Sequence, residues 1–117
     1  MPIASAAAWI DEVLRDRIAA NPVRARSIGG VFEFVLDGDG GGTWTLDLNL
    51  PQLRPGRAQR MNCRIRASAA DFVEVLEGRL EPAEAFGTGR LKVEGNLALS
   101  LKLQVLLDPA GWDRIVS

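Results

Sequence analysis

The sequence lacks several of the residue types on which active sites and metal centres are commonly built. Its 117 residues include no histidine, no tyrosine and a single cysteine. These absences exclude histidine-based triads, imidazole metal ligands, an intrachain disulfide and phenol acid–base chemistry. Carboxylates, hydroxyls, lysines and one thiol remain, so catalysis keeps few of its usual groups.

The chain also lacks a long apolar run and a strong net charge. No apolar stretch reaches the length of about 18 residues that a membrane span needs, and no basic segment precedes an apolar one at the start. A net charge of −1 provides no overall attraction for nucleic acid. The lone Cys63 and the excess of arginine over lysine favour a cytoplasmic, bacterial protein, and we expect one domain over residues 1–117.

Apolar spacing of three and four residues predicts the helices. Ser5 caps an amphipathic helix over residues 5–20, which Asn21 and Pro22 end, since the residue before a proline avoids helical geometry. Three further helices are predicted at residues 68–78, 81–86 and 96–107.

Alternation of apolar and polar residues predicts the strands, which lie near residues 32–37, 43–48, 60–67 and 90–94. The first two are predicted to form a hairpin through the glycine-rich segment 37–42, which has neither the lysine of a phosphate loop nor the final glutamate of a calcium loop. In the first strand, Glu33 is expected on the outward side. Residues 50–56 are predicted as loop, with a short edge strand near residues 57–59.

Five arginines fall close together without a carboxylate between them: Arg54, Arg57, Arg60, Arg64 and Arg66. Two interpretations remain open. They form the solvated face of an outer strand, or they contact a transient anionic partner such as a membrane surface or an acidic protein. No aromatic residues alternate with them, which argues against binding to single-stranded nucleic acid.

The last helix is apolar around more than half of its circumference, whereas a helix that covers one sheet needs a much narrower stripe. Its main polar stripe consists of Asn96, Ser100 and Gln104. Something must cover the excess apolar surface, and the candidates are another helix, a dimer partner or a ligand with a long apolar surface.

Several motifs in one uninterrupted order resemble the sterol carrier protein 2 family of lipid-binding domains. The resemblance spans about residues 28–107. The motifs are Ala70-Asp71-Phe72, Gly78-Arg79-Leu80-Glu81-Pro82, Ala85-Phe86, Gly89-Arg90-Leu91-Lys92-Val93-Glu94-Gly95-Asn96 and Leu101-Lys102-Leu103-Gln104.

The resemblance implies an α/β fold with a mainly antiparallel five-stranded sheet, covered by helices and enclosing an apolar tunnel. It implies binding of a fatty acid, fatty acyl-CoA, sterol or isoprenoid, with no cofactor, no metal and no catalytic residue. The ligand-binding residues it implies are Trp44, Leu46, Phe72, Leu76, Phe86, Val93, Leu97, Leu101, Gln104 and Val105.

Alternative functions remain. The domain is expected to carry lipid, or else to act as a non-catalytic accessory module that presents a lipid or quinone intermediate to partner enzymes. An enzyme built on Ser68 and Asp71, or on Glu81 and Glu84, is disfavoured because these residues occupy helix-cap and first-turn positions. In the tail, residues 108–117, Trp112 is either a lid over the tunnel or an anchor on the core.

Overall fold

The N-terminal helix forms as its apolar spacing predicts. In the computed structural model, which describes residues 3–107, helix α1 runs through three hydrogen-bonding patterns: α-helix over Ala6–Ala8, π-helix over Trp9–Leu14 and α-helix again over Arg15–Ala20. The hydroxyl of Ser5 accepts a hydrogen bond from the Ala8 N–H at 3.0 Å and so caps the first turn.

A second helix, α2, spans Pro22–Ile28 and was not predicted. The Asn21 side chain accepts a hydrogen bond from the Arg24 N–H at 3.1 Å, so the Asn21–Pro22 pair that ends α1 also starts α2. Proline is well suited to a first helical position because it has no N–H to leave unpaired.

The five strands form one mixed sheet. Strands β1 (Val31–Asp37), β2 (Gly42–Asp47), β3 (Gln52–Pro55), β4 (Cys63–Ser68) and β5 (Leu91–Gly95) lie in the order β3-β2-β1-β4-β5. Strands β1 and β4 pair in parallel and the other pairs are antiparallel, which confirms the mainly antiparallel five-stranded sheet.

The position of the edge strand corrects the prediction that residues 50–56 form a loop. Strand β3 lies within this segment, and residues 57–59 form no strand. Leu53 is buried opposite Leu46 of β2. This burial stabilises a strand in a segment whose prolines favour a loop. Pro55 is tolerated because it ends an edge strand.

The remaining helices are α3 (Ala69–Leu76), α4 (Pro82–Gly87) and α5 (Leu97–Leu107), close to their predicted bounds. Ser68 caps α3 by accepting from the Asp71 N–H at 3.0 Å, and Asn96 caps α5 by accepting from the Leu99 N–H at 3.2 Å. Over residues 3–107, none of the helices has both the length and the apolar character required to cross a membrane.

The core lies between the helices and one face of the sheet. Phe72 of α3 packs edge-to-face against Phe34 of β1, with ring centroids 5.9 Å apart, and against Trp9 of α1 at 6.4 Å. Cys63 of β4 is fully buried in this core, and burial raises the pKa of its thiol.

The opposite face of the sheet carries charged residues, and Glu33, which the alternation places on this face, is fully buried there. The segment after β3 covers it: the Ala58 N–H donates to the Glu33 carboxylate at 2.9 Å. Arg64, its neighbour on β4, donates to the same carboxylate at 2.7 Å, and Arg57 lies 3.6 Å away. The outward register was correct, but the covering loop was not predicted.

We expect the stability of the fold to depend on pH through Glu33. Burial acts to raise the pKa of this carboxyl, but the hydrogen bonds from Ala58 and Arg64 and the charges of Arg64 and Arg57 outweigh burial and lower it. A lowered folded-state pKa stabilises the protein above the unfolded pKa of about 4.3, and this contribution is lost as the pH falls through the folded value.

Urea unfolding measured from about pH 7 down to about pH 3 checks this expectation. The free energy of unfolding should fall less steeply with decreasing pH in Glu33→Gln than in the wild type. Glu12→Gln, which removes an exposed carboxyl of α1, is the matched control and should follow the wild-type slope. Parallel curves for the wild type and Glu33→Gln would show that the buried carboxylate contributes no such dependence.

A second prediction concerns Gly95, where β5 ends against the chain before β4. Gly95 has φ of +95°, and a Cβ there would lie 2.3 Å from the Asn62 carbonyl oxygen, which accepts the Asn96 N–H at 2.9 Å. Gly56 has nearly the same φ, +96°, with no atom within 4 Å of a Cβ. Gly56→Ala should therefore cost about 1–2 kcal/mol from backbone strain alone.

Gly95→Ala should cost more than Gly56→Ala by at least about 1 kcal/mol, because steric overlap adds to the strain. Urea denaturation of both variants measures the difference. Equal losses would mean that the close approach to Asn62 does not constrain the native state.

Candidate functional site

A cavity of about 650 Å³ lies on the helix side of the sheet, near the β5 edge. Strands β4 and β5 form its floor and helices α3, α4 and α5 its walls. The floor is apolar, with Ile65 from β4 and Leu91 and Val93 from β5. Its volume falls within the range of sites that bury most of a small ligand.

Large apolar side chains around the cavity remain exposed to solvent. Phe86 at the end of α4 is 49% exposed, and Leu97 and Leu101 on α5 are 52% and 64% exposed. Exposed apolar side chains that converge on one concavity are typical of a binding surface rather than of scattered surface residues. Within residues 3–107 the site is a cavity open to solvent.

Helix α5 is apolar both where it packs in the core and where it faces the cavity, and Leu103 contributes to both. Leu103 and Leu106 are almost fully buried, and the Arg17 guanidinium donates to the Leu106 carbonyl oxygen at 2.6 Å, which fixes this end of the helix to α1. Leu97 and Leu101 also line the cavity. The apolar excess of this helix therefore faces the cavity.

The polar stripe predicted on α5 borders the same cavity. Ser100 and Gln104 are both among the lining residues, one helical turn apart. The Ser100 hydroxyl donates to the Leu97 carbonyl oxygen at 2.6 Å, and the Gln104 side chain is exposed. This stripe provides polar groups at an otherwise apolar site.

The structure brings seven of the ten predicted binding residues to the cavity: Phe72, Leu76, Phe86, Val93, Leu97, Leu101 and Gln104. Trp44 and Leu46 do not line it. They lie on β2, separated from the cavity floor by β1, and Trp44 is buried under α1, where its indole N–H donates to Asp11 at 3.2 Å. The side chain of Val105 and the tail residue Trp112 lie outside the described residues.

Sequence reasoning missed several lining residues, among them Val75, Glu81, Pro82, Ala83 and Leu107. Val75 sits next to the predicted Leu76 on α3, and Glu81 to Ala83 form the start of α4. The signal that could have found the latter is the Gly78 to Pro82 segment, which connects α3 to α4.

The residues considered for catalysis either make structural interactions or do not meet at one site. Ser68 caps α3, and Asp71 accepts a hydrogen bond from Arg90 at 2.7 Å, which is the main cause that lowers the pKa of this carboxyl. Glu81 lines the cavity, whereas Glu84, one turn later on α4, does not. No nucleophile with an adjacent base is formed by these groups.

Of the five clustered arginines, Arg54, Arg64 and Arg66 lie on the outer face of the sheet, and Arg57 and Arg60 lie in the segment after β3. Arg64 is paired with Glu33 and, at 2.8 Å, with Glu94, and Arg66 lies 3.4 Å from Glu94. Arg54 and Arg60 are exposed and make no ion pair within the part of the chain that the structure describes.

Fold and cavity together define an α/β domain with an apolar cavity open to solvent and no assembled catalytic group among its described residues. The sequence matches the SCP-2 sterol transfer family over residues 10–108. The chain belongs to this family.

Similar proteins show the same domain alone and within larger chains. The non-specific lipid-transfer protein-like 1 of Caenorhabditis elegans is 30% identical over 104 residues, which cover 86% of this chain and 88% of that protein. The hydroxysteroid dehydrogenase-like protein 2 of Rattus norvegicus is 36% identical over 98 residues, 81% of this chain but only 18% of the rat protein. The present chain therefore corresponds to about a fifth of that longer relative.

Solved structures share the fold. Sterol carrier protein 2 like 2 from Aedes aegypti superposes with a TM-score of 0.73 at 22% identity, covering 84% of this chain and 93% of that one. The ubiquinone synthesis protein UbiJ-SCP2 superposes with a TM-score of 0.65 at 21% identity, covering 86% and 91%.

Proposed function

We propose that this chain binds the apolar part of a lipid in the cavity between α3, α4, α5 and β5 and carries it without chemical change, in a cytoplasmic setting. The observation that supports this most strongly is that three large apolar side chains line the cavity with 49% to 64% of their surface exposed: Phe86, Leu97 and Leu101. A lipid chain would cover this surface.

Burial of apolar surface is sufficient to bind such a ligand. Each methylene that leaves water contributes about 0.8 kcal/mol, so a long chain gains several kcal/mol before the costs of association. A site that works in this way needs shape and apolar area rather than a titrating group. The absence of histidine and tyrosine is therefore no handicap for the proposed role.

Filling the cavity tests the proposal. Leu97→Trp places a larger side chain at the cavity wall, and we expect it to weaken binding of the fluorescent lipids cis-parinaric acid and dehydroergosterol by about tenfold or more. Because Leu97 is half-exposed, the free energy of unfolding should change by no more than about 0.5 kcal/mol. Fluorescence titration of delipidated protein measures the affinity.

Val23→Trp is the matched control, since Val23 is 72% exposed on α2 and does not line the cavity. It should bind both probes as the wild type does. If the wild type takes up neither probe, or if Leu97→Trp binds them as well as Val23→Trp, the cavity is not the lipid site.

A second role, that of an accessory module, is favoured by one observation. Arg54 is exposed on the sheet face that the helices do not cover, Arg60 is exposed in the segment that follows β3, and neither lines the cavity. A membrane that contacted Arg54 would meet the back of the sheet, so we propose an acidic protein as the partner. The solved neighbour named as a ubiquinone synthesis protein supports a role of this kind.

Charge reversal tests the accessory role. Arg54→Glu combined with Arg60→Glu should lower cross-linking of acidic proteins in the source cells by at least about fivefold while leaving lipid content unchanged. Arg26→Glu combined with Lys102→Glu reverses two exposed charges elsewhere and should keep the cross-links. Equal cross-linking by both variants would contradict the proposal, as would selective loss of binding to phosphatidylglycerol vesicles, which would indicate a membrane contact.

A further inference from the structure

The described lining of the cavity carries charge of one sign only, and it is negative. Among the described residues that line it, Glu81 is the only one with an ionisable side chain, and no lysine or arginine is among them. Glu81 is solvent-exposed, lines the cavity and directly precedes α4. A carboxylate in this position repels an anionic headgroup and attracts a cationic one.

Two arginines next to lining residues are paired within the protein, whereas Lys92 and Lys102, which also adjoin lining residues, make no ion pair within residues 3–107 and do not line the cavity. Arg79, next to the lining residue Gly78, donates to Glu74 at 2.9 Å and also pairs with Glu77. Arg90, next to the lining residue Leu91, donates to Asp71 at 2.7 Å. These intramolecular pairs use the two guanidinium groups that would otherwise be the natural partners of a carboxylate or phosphate headgroup.

The other polar side chains of the cavity are uncharged. Ser100 donates its proton to the Leu97 carbonyl oxygen, which leaves its hydroxyl oxygen as an acceptor, and Gln104 carries an exposed amide. Together with the Glu81 carboxylate, they provide acceptors for a headgroup that donates hydrogen bonds, such as an alcohol.

We infer that Glu81 is a specificity-determining residue that makes the cavity select lipids with an uncharged or cationic headgroup over those with a carboxylate or phosphate. This inference rests on the proposed lipid-binding function and narrows its ligand class. We therefore expect this chain to bind alcohols and sterols more tightly than free fatty acids and acyl-CoA.

The test compares three ligands that share one alkyl chain: dodecanol, dodecanoate and dodecylammonium. Their affinities are measured by displacement of dehydroergosterol at about pH 8, where the acid and the amine are both ionised. For the wild type we expect dodecanol and dodecylammonium to bind more tightly than dodecanoate. In Glu81→Lys the affinity of dodecanoate relative to dodecanol should rise about five- to tenfold.

Two further variants make the result specific. Glu81→Gln removes the charge without reversing it and should raise the same ratio about two- to threefold. Glu84→Lys makes the same charge reversal on α4 at a residue that does not line the cavity, and it should leave the ratio within about twofold of the wild type.

The outcomes separate the inference from the proposed function. If none of the three ligands displaces the probe, lipid binding itself fails and the inference fails with it. If the ligands bind but Glu81→Lys changes the ratio no more than Glu84→Lys does, lipid binding stands and the role of Glu81 is overturned. Tighter binding of dodecanoate by the wild type that Lys102→Gln abolishes would also overturn it, because the exposed Lys102 of α5 would then set the preference.

Discussion

The burial of Leu103 and Leu106 against the core fixes the rotation of helix α5, and the functional surface depends on that rotation. With these two side chains inward, the i, i+3, i+4, i+7 row of Leu97, Ser100, Leu101 and Gln104 faces the cavity. The hydrogen bond from Arg17 to the Leu106 carbonyl oxygen ties the end of the helix to α1. The apolar excess of α5 is thus held in place, and no side chain described within residues 3–107 covers it fully.

The two faces of the sheet carry different chemistry. On the helix side, Ile65, Leu91 and Val93 form an apolar floor, and alternate residues of the same strands place Arg64, Arg66 and Glu94 on the other side. Because strand side chains alternate in direction, one pair of neighbouring strands supplies both surfaces. The net charge of −1 does not reveal this difference between the two faces, because most charges on the outer face form ion pairs with one another.

Local patterns predicted most elements of the fold, and the exceptions have physical causes. The sequence predicts a loop where β3 forms because Pro51 and Pro55 outweigh the single buried residue, Leu53, that packs it against β2. Glu33 has the outward register that alternation predicts, but its burial depends on a loop that arrives from 25 residues later in the chain. A loop that covers a residue from so far along the chain cannot be predicted from the local pattern of apolar and polar residues.

The candidate site was only partly predictable from the sequence. Residues of α3, α4, α5 and β5 could be named because their motifs follow one another closely in sequence. Trp44 and Leu46 point to the helix side as expected, but the strand order β2-β1-β4-β5 places them two strands away from the cavity floor. The alternation of apolar and polar residues predicts on which face of the sheet a side chain lies. Strand order determines how many strands separate that side chain from the cavity.

The central claim is that a lipid chain occupies the cavity between α3, α4, α5 and β5. The most direct measurement is paramagnetic broadening of backbone amide signals by a neutral spin-labelled lipid, the methyl ester of doxyl-stearate, bound to the isotope-labelled protein. The account predicts strong broadening at Val93, Leu97 and Leu101 and little at Thr45 and Arg54 on the outer face. Broadening spread evenly over both faces, or confined to the outer face, would contradict it.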